Sequence, residues 1–162
     1  MLLGKIIGKS GTNQFSFLVE ANAKKFMYIR AMHKEGFNIL AQIIDIEKEK
    51  EETRAKCNVL GYRDKAGILR NLRTPLEPGA SVEYADDDFV KSVLDLKESK
   101  NGAFVGYLED RENIKVYLDL NSVITKHLAI LAKSGSGKSF FSGVLLEEIL
   151  EKKIPIVVID PH

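Results

Sequence analysis

Residues 132–139 read AKSGSGKS, and this stretch decides the fold of the second part of the chain. Gly135 and Gly137 have no Cβ, so the backbone can adopt positive φ and wrap closely around an anion. Lys138 and Ser139 follow directly, which is the spacing of a phosphate-binding loop at the start of a helix. Ala132 stands where the consensus of such loops usually has glycine, a substitution that many of them tolerate. The stretch therefore predicts part of a nucleoside-triphosphate site.

The loop residues predict how ATP and its Mg²⁺ are held. Lys138 can reach the β and γ phosphates, and the hydroxyl of Ser139 is placed for Mg²⁺. The unpaired N–H groups and the dipole of the following helix favour the phosphates further. The predicted cofactors are therefore ATP and Mg²⁺. The predicted cofactor-binding residues of the loop are Ser134, Gly135, Ser136, Gly137, Lys138, Ser139 and Phe140.

The segments on either side of the loop are those that a phosphate-binding loop requires. Residues 128–132 are a continuous apolar run, typical of a strand in a sheet covered on both faces. Residues 139–153 have a helical apolar stripe that Pro155 stops, and residues 156–160 read as a second buried strand. Strand, loop, helix and strand predict a right-handed βαβ unit.

Asp160 and the three aspartates at residues 86–88 are candidates for metal contacts. Asp160 ends the second strand on the side where α/β sheets bind ligands, so it could contact a Mg²⁺-bound water or simply cap the strand end. The aspartates at residues 86–88 precede a short amphipathic pattern. Capping of a helix start is the favoured interpretation there, because consecutive carboxylates at a helix N-terminus do not converge on one point.

The first ninety or so residues read as short strands separated by turn signals, which predicts a small β-barrel or sandwich. A barrel is attractive because closure removes exposed strand edges. Four aromatic residues in these strands could stack nucleic-acid bases, but barrel core is the favoured interpretation. They are Phe15, Phe17, Phe26 and Tyr28. The predicted strands are residues 2–7, 15–19, 26–31, 37–47, 53–62, 69–72 and 82–85.

A polar, turn-rich stretch at residues 97–102 predicts a domain boundary. Residues 1–97 are then the barrel. Residues 98–162 begin with a hairpin, with strands at 104–108 and 114–118, and continue into the βαβ unit. The fold class expected is a small N-terminal β-barrel followed by the start of an α/β P-loop domain.

Composition limits the function only in part, and the charge count neither supports nor excludes DNA contact through a local patch. The chain has 24 basic and 23 acidic side chains and a net charge of +1, so no overall field attracts DNA or an anionic membrane. Its uninterrupted apolar runs are too short for a membrane span. Cys57 is the single cysteine, so no internal disulfide can form, which suits the cytoplasm. We expect Cys57 to be a small buried side chain of a strand rather than a catalytic thiol.

The chain resembles the HerA/FtsK group of ring-shaped DNA translocases. The resemblance lies in KHLAILAKSGSGKS at residues 126–139, VVIDPH at 157–162, GKIIG at 4–8, VLGYRD at 59–64 and TPLEPGASVEYADDDFV at 74–90. The order of barrel, hairpin and phosphate-binding loop is typical of HerA rather than of FtsK. The family likeness covers nearly the whole chain.

The resemblance implies an N-terminal HAS-type barrel and a RecA-like ATPase domain. It also implies a cytoplasmic homo-hexamer that drives double-stranded DNA through its channel and acts with a NurA-like nuclease in DNA end resection. HerA-like proteins carry a basic residue at the position of Lys126, which in a ring could face a neighbour's nucleotide. His127, beside it, is expected to have a structural role.

The resemblance also shows which parts of such a motor the sequence lacks. It contains no Asp-Glu pair to activate water, no arginine finger and no channel loops. No residue of the chain is therefore predicted to be catalytic, and nucleotide binding with little hydrolysis is expected. We expect the chain to be a portion of a longer protein that is the complete ATPase and DNA helicase.

Two other functions remain open from the residues alone. The barrel could serve as a protein-interaction or oligomerisation module that binds a nuclease or neighbouring subunits. The chain could also belong to a P-loop ATPase that does not act on DNA and has a barrel at its front end, such as a secretion or rotary-type ATPase.

Overall fold

A computed structural model describes residues 1–159 of the chain. The prediction for Asp160 lies outside the described residues. The chain divides into two compact units, Met1–Asp95 and Leu96–His162, and each is described by itself.

The first unit is a closed antiparallel β-barrel of six strands, as expected for the fold class. Around the barrel the strands follow the order β2-β1-β7-β3-β4-β5, and pairing of β2 with β5 closes the ring. A short strand, β6, extends the sheet beyond β5. The strands are β1 (Leu2–Ile7), β2 (Gln14–Val19), β3 (Tyr28–Met32), β4 (Asn38–Glu49), β5 (Glu52–Arg63), β6 (Leu69–Arg70) and β7 (Ser81–Tyr84).

Alternation along the strands sends one set of side chains into the barrel. Phe15 and Phe17 are buried among the apolar side chains of the core, and Tyr28 is also buried. This confirms the barrel-core interpretation for Phe15 and Phe17, whereas Tyr28 is buried outside the cluster of side chains that fills the barrel. For Phe26 that interpretation is wrong: it precedes β3, has φ of 70° and is 40% exposed. Its left-handed backbone breaks the alternation, so the ring lies at the surface, 5.4 Å from the ammonium of Lys25.

Close backbone contact between β1 and β2 depends on glycine. Gly4 has φ of 158°, and its register with β7 is interrupted by a bulge between Leu2 and Gly4. A Cβ on Gly4 would overlap the main-chain oxygen of Leu18 on β2. Both the conformation and the space therefore require a residue without a side chain at this position.

A helix, α1 (Asp87–Leu94), follows β7 and is capped as the sequence predicts. The side chain of Asp86 accepts a hydrogen bond from the backbone N–H of Phe89 at 2.9 Å. Val90 and Val93 are buried beneath the helix. At its other end, the Arg63 guanidinium donates to the carbonyl oxygens of Ser92 and Val93, which ties the helix to β5. The aspartates at residues 86–88 thus begin a helix.

We expect Asp86→Ala to lower the free energy of unfolding by about 1 kcal/mol, because an N-cap side chain is lost. Asp86→Asn keeps the capping oxygen and should lose only a few tenths of that amount. Asp88→Ala, an exposed first-turn control that removes no cap, should also cost less. Urea unfolding of the variants checks this order, and equal losses for Asp86→Ala and Asp88→Ala would contradict it.

Cys57 is fully buried on β5, as expected. Burial raises the pKa of its thiol far above its usual range, so the reactive thiolate is suppressed at neutral pH. We expect an alkylating reagent at pH 8 to leave Cys57 unmodified in the folded protein and to label it fully in urea. Mass spectrometry checks this, and rapid labelling without denaturant would show that β5 opens readily.

The second unit contains the predicted hairpin and two helices. Its strands β8 (Gly102–Leu108) and β9 (Arg111–Asp119) pair with each other and are longer than the prediction. The helices are α2 (Leu120–Thr125) and α3 (Lys138–Glu151). The sequence predicted α3 within two residues and missed α2, which is a single short turn after β9 capped by Asp119.

Helix α3 packs against the hairpin through a small apolar core. That core consists of Ala103, Leu120, Leu145 and Ile149. Glu148 accepts a hydrogen bond from the backbone N–H of Phe104 at 2.9 Å, so a helix side chain occupies a free group on the β8 edge.

The strands predicted on either side of α3 are wrong for the described residues. Residues 128–132 and 156–159 are not assigned to any strand, and Leu131, Val157 and Ile159 are each at least 88% exposed. A strand forms only where a neighbour pairs with its N–H and C=O groups. Within residues 1–159 neither segment has such a neighbour, and the two do not pair with each other.

No helix in the part of the chain that the structure describes is long and apolar enough to cross a membrane.

Candidate nucleotide-binding loop

The loop at residues 132–139 adopts the positive-φ backbone that the sequence predicts. Gly135 has φ of 77°, and Gly137 has φ of 89° and ψ of 14°. A side chain at either position would be strained by this conformation, although nothing lies within 4 Å of either missing Cβ. The glycines are therefore needed for the path of the backbone.

A tight turn within the loop uses the polar groups of Ser136. Its backbone N–H donates to the carbonyl oxygen of Lys133 at 3.2 Å, and its hydroxyl donates to the same oxygen at 2.6 Å. Ser136 thus fixes the shape of the loop. Among the predicted cofactor-binding residues of the loop, it is also the one that does not line the concavity described below.

The start of α3 presents unpaired backbone donors. Gly137 is the N-cap and supplies no side-chain cap, and the first intrahelical bond runs from the N–H of Phe141 to Gly137 at 2.9 Å. The N–H groups of Lys138, Ser139 and Phe140 precede that bond and have no intrahelical acceptor. Together with the helix dipole, they form positive potential that suits an anion.

The residues of the loop and of the first turn of α3 surround one concavity of about 600 Å³. All of its lining residues are exposed. Backbone donors, a lysine and a serine hydroxyl at one rim are the donor set that a magnesium–triphosphate group requires. The lining residues are Ala132, Lys133, Ser134, Gly135, Gly137, Lys138, Ser139 and Phe140.

Lys126 and His127 lie just after α2 and are exposed. The structure does not place them among the residues that line the loop concavity. The backbone N–H of Lys126 donates to the carbonyl oxygen of Ser122. Hydrogen bonds from Ser122 lower the pKa of Asp119, and the positive charge of the Lys126 side chain lowers it further. Exposure of the His127 imidazole does not fit the structural role expected for it.

In residues 1–159, no group of three or more histidine, cysteine, aspartate or glutamate side chains is placed to hold a metal ion. The contact of the Ser139 hydroxyl with Mg²⁺ stays a prediction from the sequence of the loop.

Known proteins resemble this chain across both of its units. Residues 103–162 match the family model described as "Helicase HerA, central domain". Over the whole chain, the sequence is 32% identical to a "Probable DNA double-strand break repair helicase HerA" from Methanocaldococcus jannaschii, covering 31% of that protein. It is also 32% identical to the "DNA double-strand break repair helicase HerA" of Pyrococcus furiosus, over 87% of this chain and 26% of the relative.

A protein of the same name from Sulfolobus acidocaldarius is 24% identical over the whole chain and 36% of its own length. A barrel followed by an α/β unit, together with these matches, places the chain in a class of proteins whose named members are called helicases. Within that class, the chain is a HerA-type protein. It spans about a third of the length of the curated relatives it matches.

Proposed function

We propose that this chain is the N-terminal part of an ATP-driven, hexameric DNA translocase that acts on double-stranded DNA with a NurA-like nuclease in end resection. The observation that carries the proposal is the uncapped start of α3 behind two positive-φ glycines, which is a geometry suited to phosphate. The names of the relatives, DNA double-strand break repair helicases, support the choice of DNA.

Within this function each loop residue has a separate task. The Lys138 ammonium binds the β and γ phosphates, and the Ser139 hydroxyl binds Mg²⁺. The backbone N–H groups at the start of α3 bind phosphate oxygens, and Ser136 holds the turn in the shape that presents them. ATP and Mg²⁺ supply the chemistry of phosphoryl transfer when bound. The chain itself binds and orients, and we assign it no residue that activates water.

Two residues outside the loop belong to the proposal. Lys126 is exposed after α2, where it would approach the nucleotide of a neighbouring subunit in a ring. Asp160 would contact a water bound to Mg²⁺ from the end of the segment after α3. Residues 1–97 would form the crown of the ring and the surface that meets the nuclease, and residues 98–162 would begin the ATPase domain in the cytoplasm.

The test is ATP hydrolysis by the full-length protein, measured with and without linear duplex DNA. We expect DNA to stimulate hydrolysis and a NurA-like nuclease to stimulate it further. Turnover that does not respond to DNA would contradict the translocase and favour an ATPase that acts on another substrate.

A second candidate is an interaction module built from the barrel alone. The closed ring of six strands, with its own apolar core, favours this function because such a unit can present a rigid surface without the ATPase. Capture of the nuclease by Met1–Asp95, together with loss of capture when that unit is removed, supports it. Capture that persists without the barrel would overturn it.

A further inference from the structure

Phe140 is an aromatic side chain on the polar side of α3. Its side chain is 79% exposed. Helical spacing places it on the same face as Gly143, Glu147 and Glu151, and that face is opposite the buried Leu145 and Ile149. A large apolar side chain in that position gains nothing from the core of its own unit. Its exposure leaves the ring accessible to another molecule.

The position of Phe140 directs its ring toward the loop. In an α-helix the Cα–Cβ bonds tilt toward the N-terminus, so long side chains cover the turn before their own residue. For Phe140 that turn is the phosphate-binding loop, and its atoms line the same concavity as Gly137 and Lys138.

The chemistry of the concavity separates the two ends of a nucleotide. Lys138, the Ser139 hydroxyl and the free N–H groups suit phosphate, which a phenyl ring cannot bind. The ring suits the planar, apolar face of a base or the C–H face of a ribose. We propose that the Phe140 side chain contacts the nucleoside of the bound triphosphate and so makes the site recognise a nucleotide rather than a polyphosphate. This inference rests on the proposed nucleotide-binding function.

The test compares two ligands, Mg²⁺–ATP and Mg²⁺–tripolyphosphate, which share the phosphate chain and differ in the nucleoside. Titration calorimetry of the full chain measures both dissociation constants. We expect Phe140→Ala to weaken ATP binding about 5- to 100-fold, the range that loss of one base–aromatic contact gives. Tripolyphosphate binding should change less than about twofold, because phosphate contacts remain. Phe140→Tyr should restore ATP binding.

Leu150→Ala is a matched control, since Leu150 is another exposed apolar residue of α3, at its far end. It should alter neither dissociation constant. Equal weakening of both ligands by Phe140→Ala, or no weakening of ATP binding, would overturn the inference while leaving nucleotide binding intact. A wild-type chain that binds neither ligand would overturn the proposed nucleotide site, and the inference with it.

Discussion

Lys138→Ala is expected to lower DNA-stimulated ATP hydrolysis by the full-length protein about 100-fold or more. The ammonium is the side-chain cation placed nearest the start of α3, where the unpaired N–H groups converge. Removal of one preorganised positive group aimed at developing phosphate charge typically costs that much in kcat. Because Lys138 also binds the ground-state phosphates, we expect KM for ATP to rise as well.

A matched control is Lys115→Ala, which removes the same charge from an exposed position on β9. It should leave hydrolysis within about twofold of wild type, since an exposed charge far from the phosphates is screened. Unfolding measurements on both variants exclude loss of structure as the cause. Hydrolysis by Lys138→Ala within a few-fold of wild type would contradict the phosphate role of the loop.

Gly4→Ala is expected to destabilise the barrel by about 3 kcal/mol or more, the largest effect that we predict for a substitution in the first unit. The new Cβ would overlap the main-chain oxygen of Leu18, an atom held in the β1–β2 ladder. Overpacking costs roughly 1–3 kcal/mol, and a side chain in a sparsely populated conformation costs roughly 1–3 kcal/mol more. Urea unfolding of the barrel unit, followed by far-ultraviolet circular dichroism, measures the loss.

Gly8→Ala separates the two contributions. Gly8 also has positive φ, 63°, but nothing lies within 4 Å of its missing Cβ. Its replacement should cost about 1–2 kcal/mol from conformation alone. If Gly4→Ala were no more destabilising than Gly8→Ala, the close approach of β1 to β2 would not be needed for stability.

The sequence was most informative where local rules decide the structure. The loop glycines, the Asp86 cap and the alternation of Phe15 and Phe17 each depend on residues within a few positions of one another. All of them are found in the structure as predicted. Local pattern also located every strand of the barrel to within a few residues.

The errors arose where distant or absent neighbours decide the outcome. Residues 128–132 have the composition of a buried strand, but a strand requires a partner, and none is present in the described part of the chain. Phe26 continues an apolar pattern, yet hydrogen bonds from its N–H to Ile43 and from Gln42 to its carbonyl oxygen hold it in a left-handed conformation at the surface. Neither contact can be read from the residues around position 26.

For the loop, the sequence predicted which residues bind the cofactor, but it did not predict the hydrogen bonds within the loop or the exposure of each side chain. Ser136 was predicted to bind the cofactor, which stays a prediction, and the structure adds that its hydroxyl and N–H both donate to the carbonyl oxygen of Lys133. The exposure of Phe140 was likewise invisible in a pattern that placed it beside an apolar helix stripe. Both distinctions depend on the three-dimensional path of five residues.

The order of strands around the barrel has a consequence for synthesis. Strand β1 pairs with β7, and Leu2 lies opposite Glu83. The first strand of the barrel therefore stays unpaired on this edge until the last strand of the barrel has been synthesised. Such a long loop makes folding slow compared with a helical unit of similar size. During that interval β1 and β3 expose the unpaired edges that β7 later joins, which is when a nascent chain is most open to association with its neighbours. Because β7 precedes the phosphate-binding loop in the chain, all strands of the barrel are synthesised before that loop, and the barrel can close before the second unit is complete.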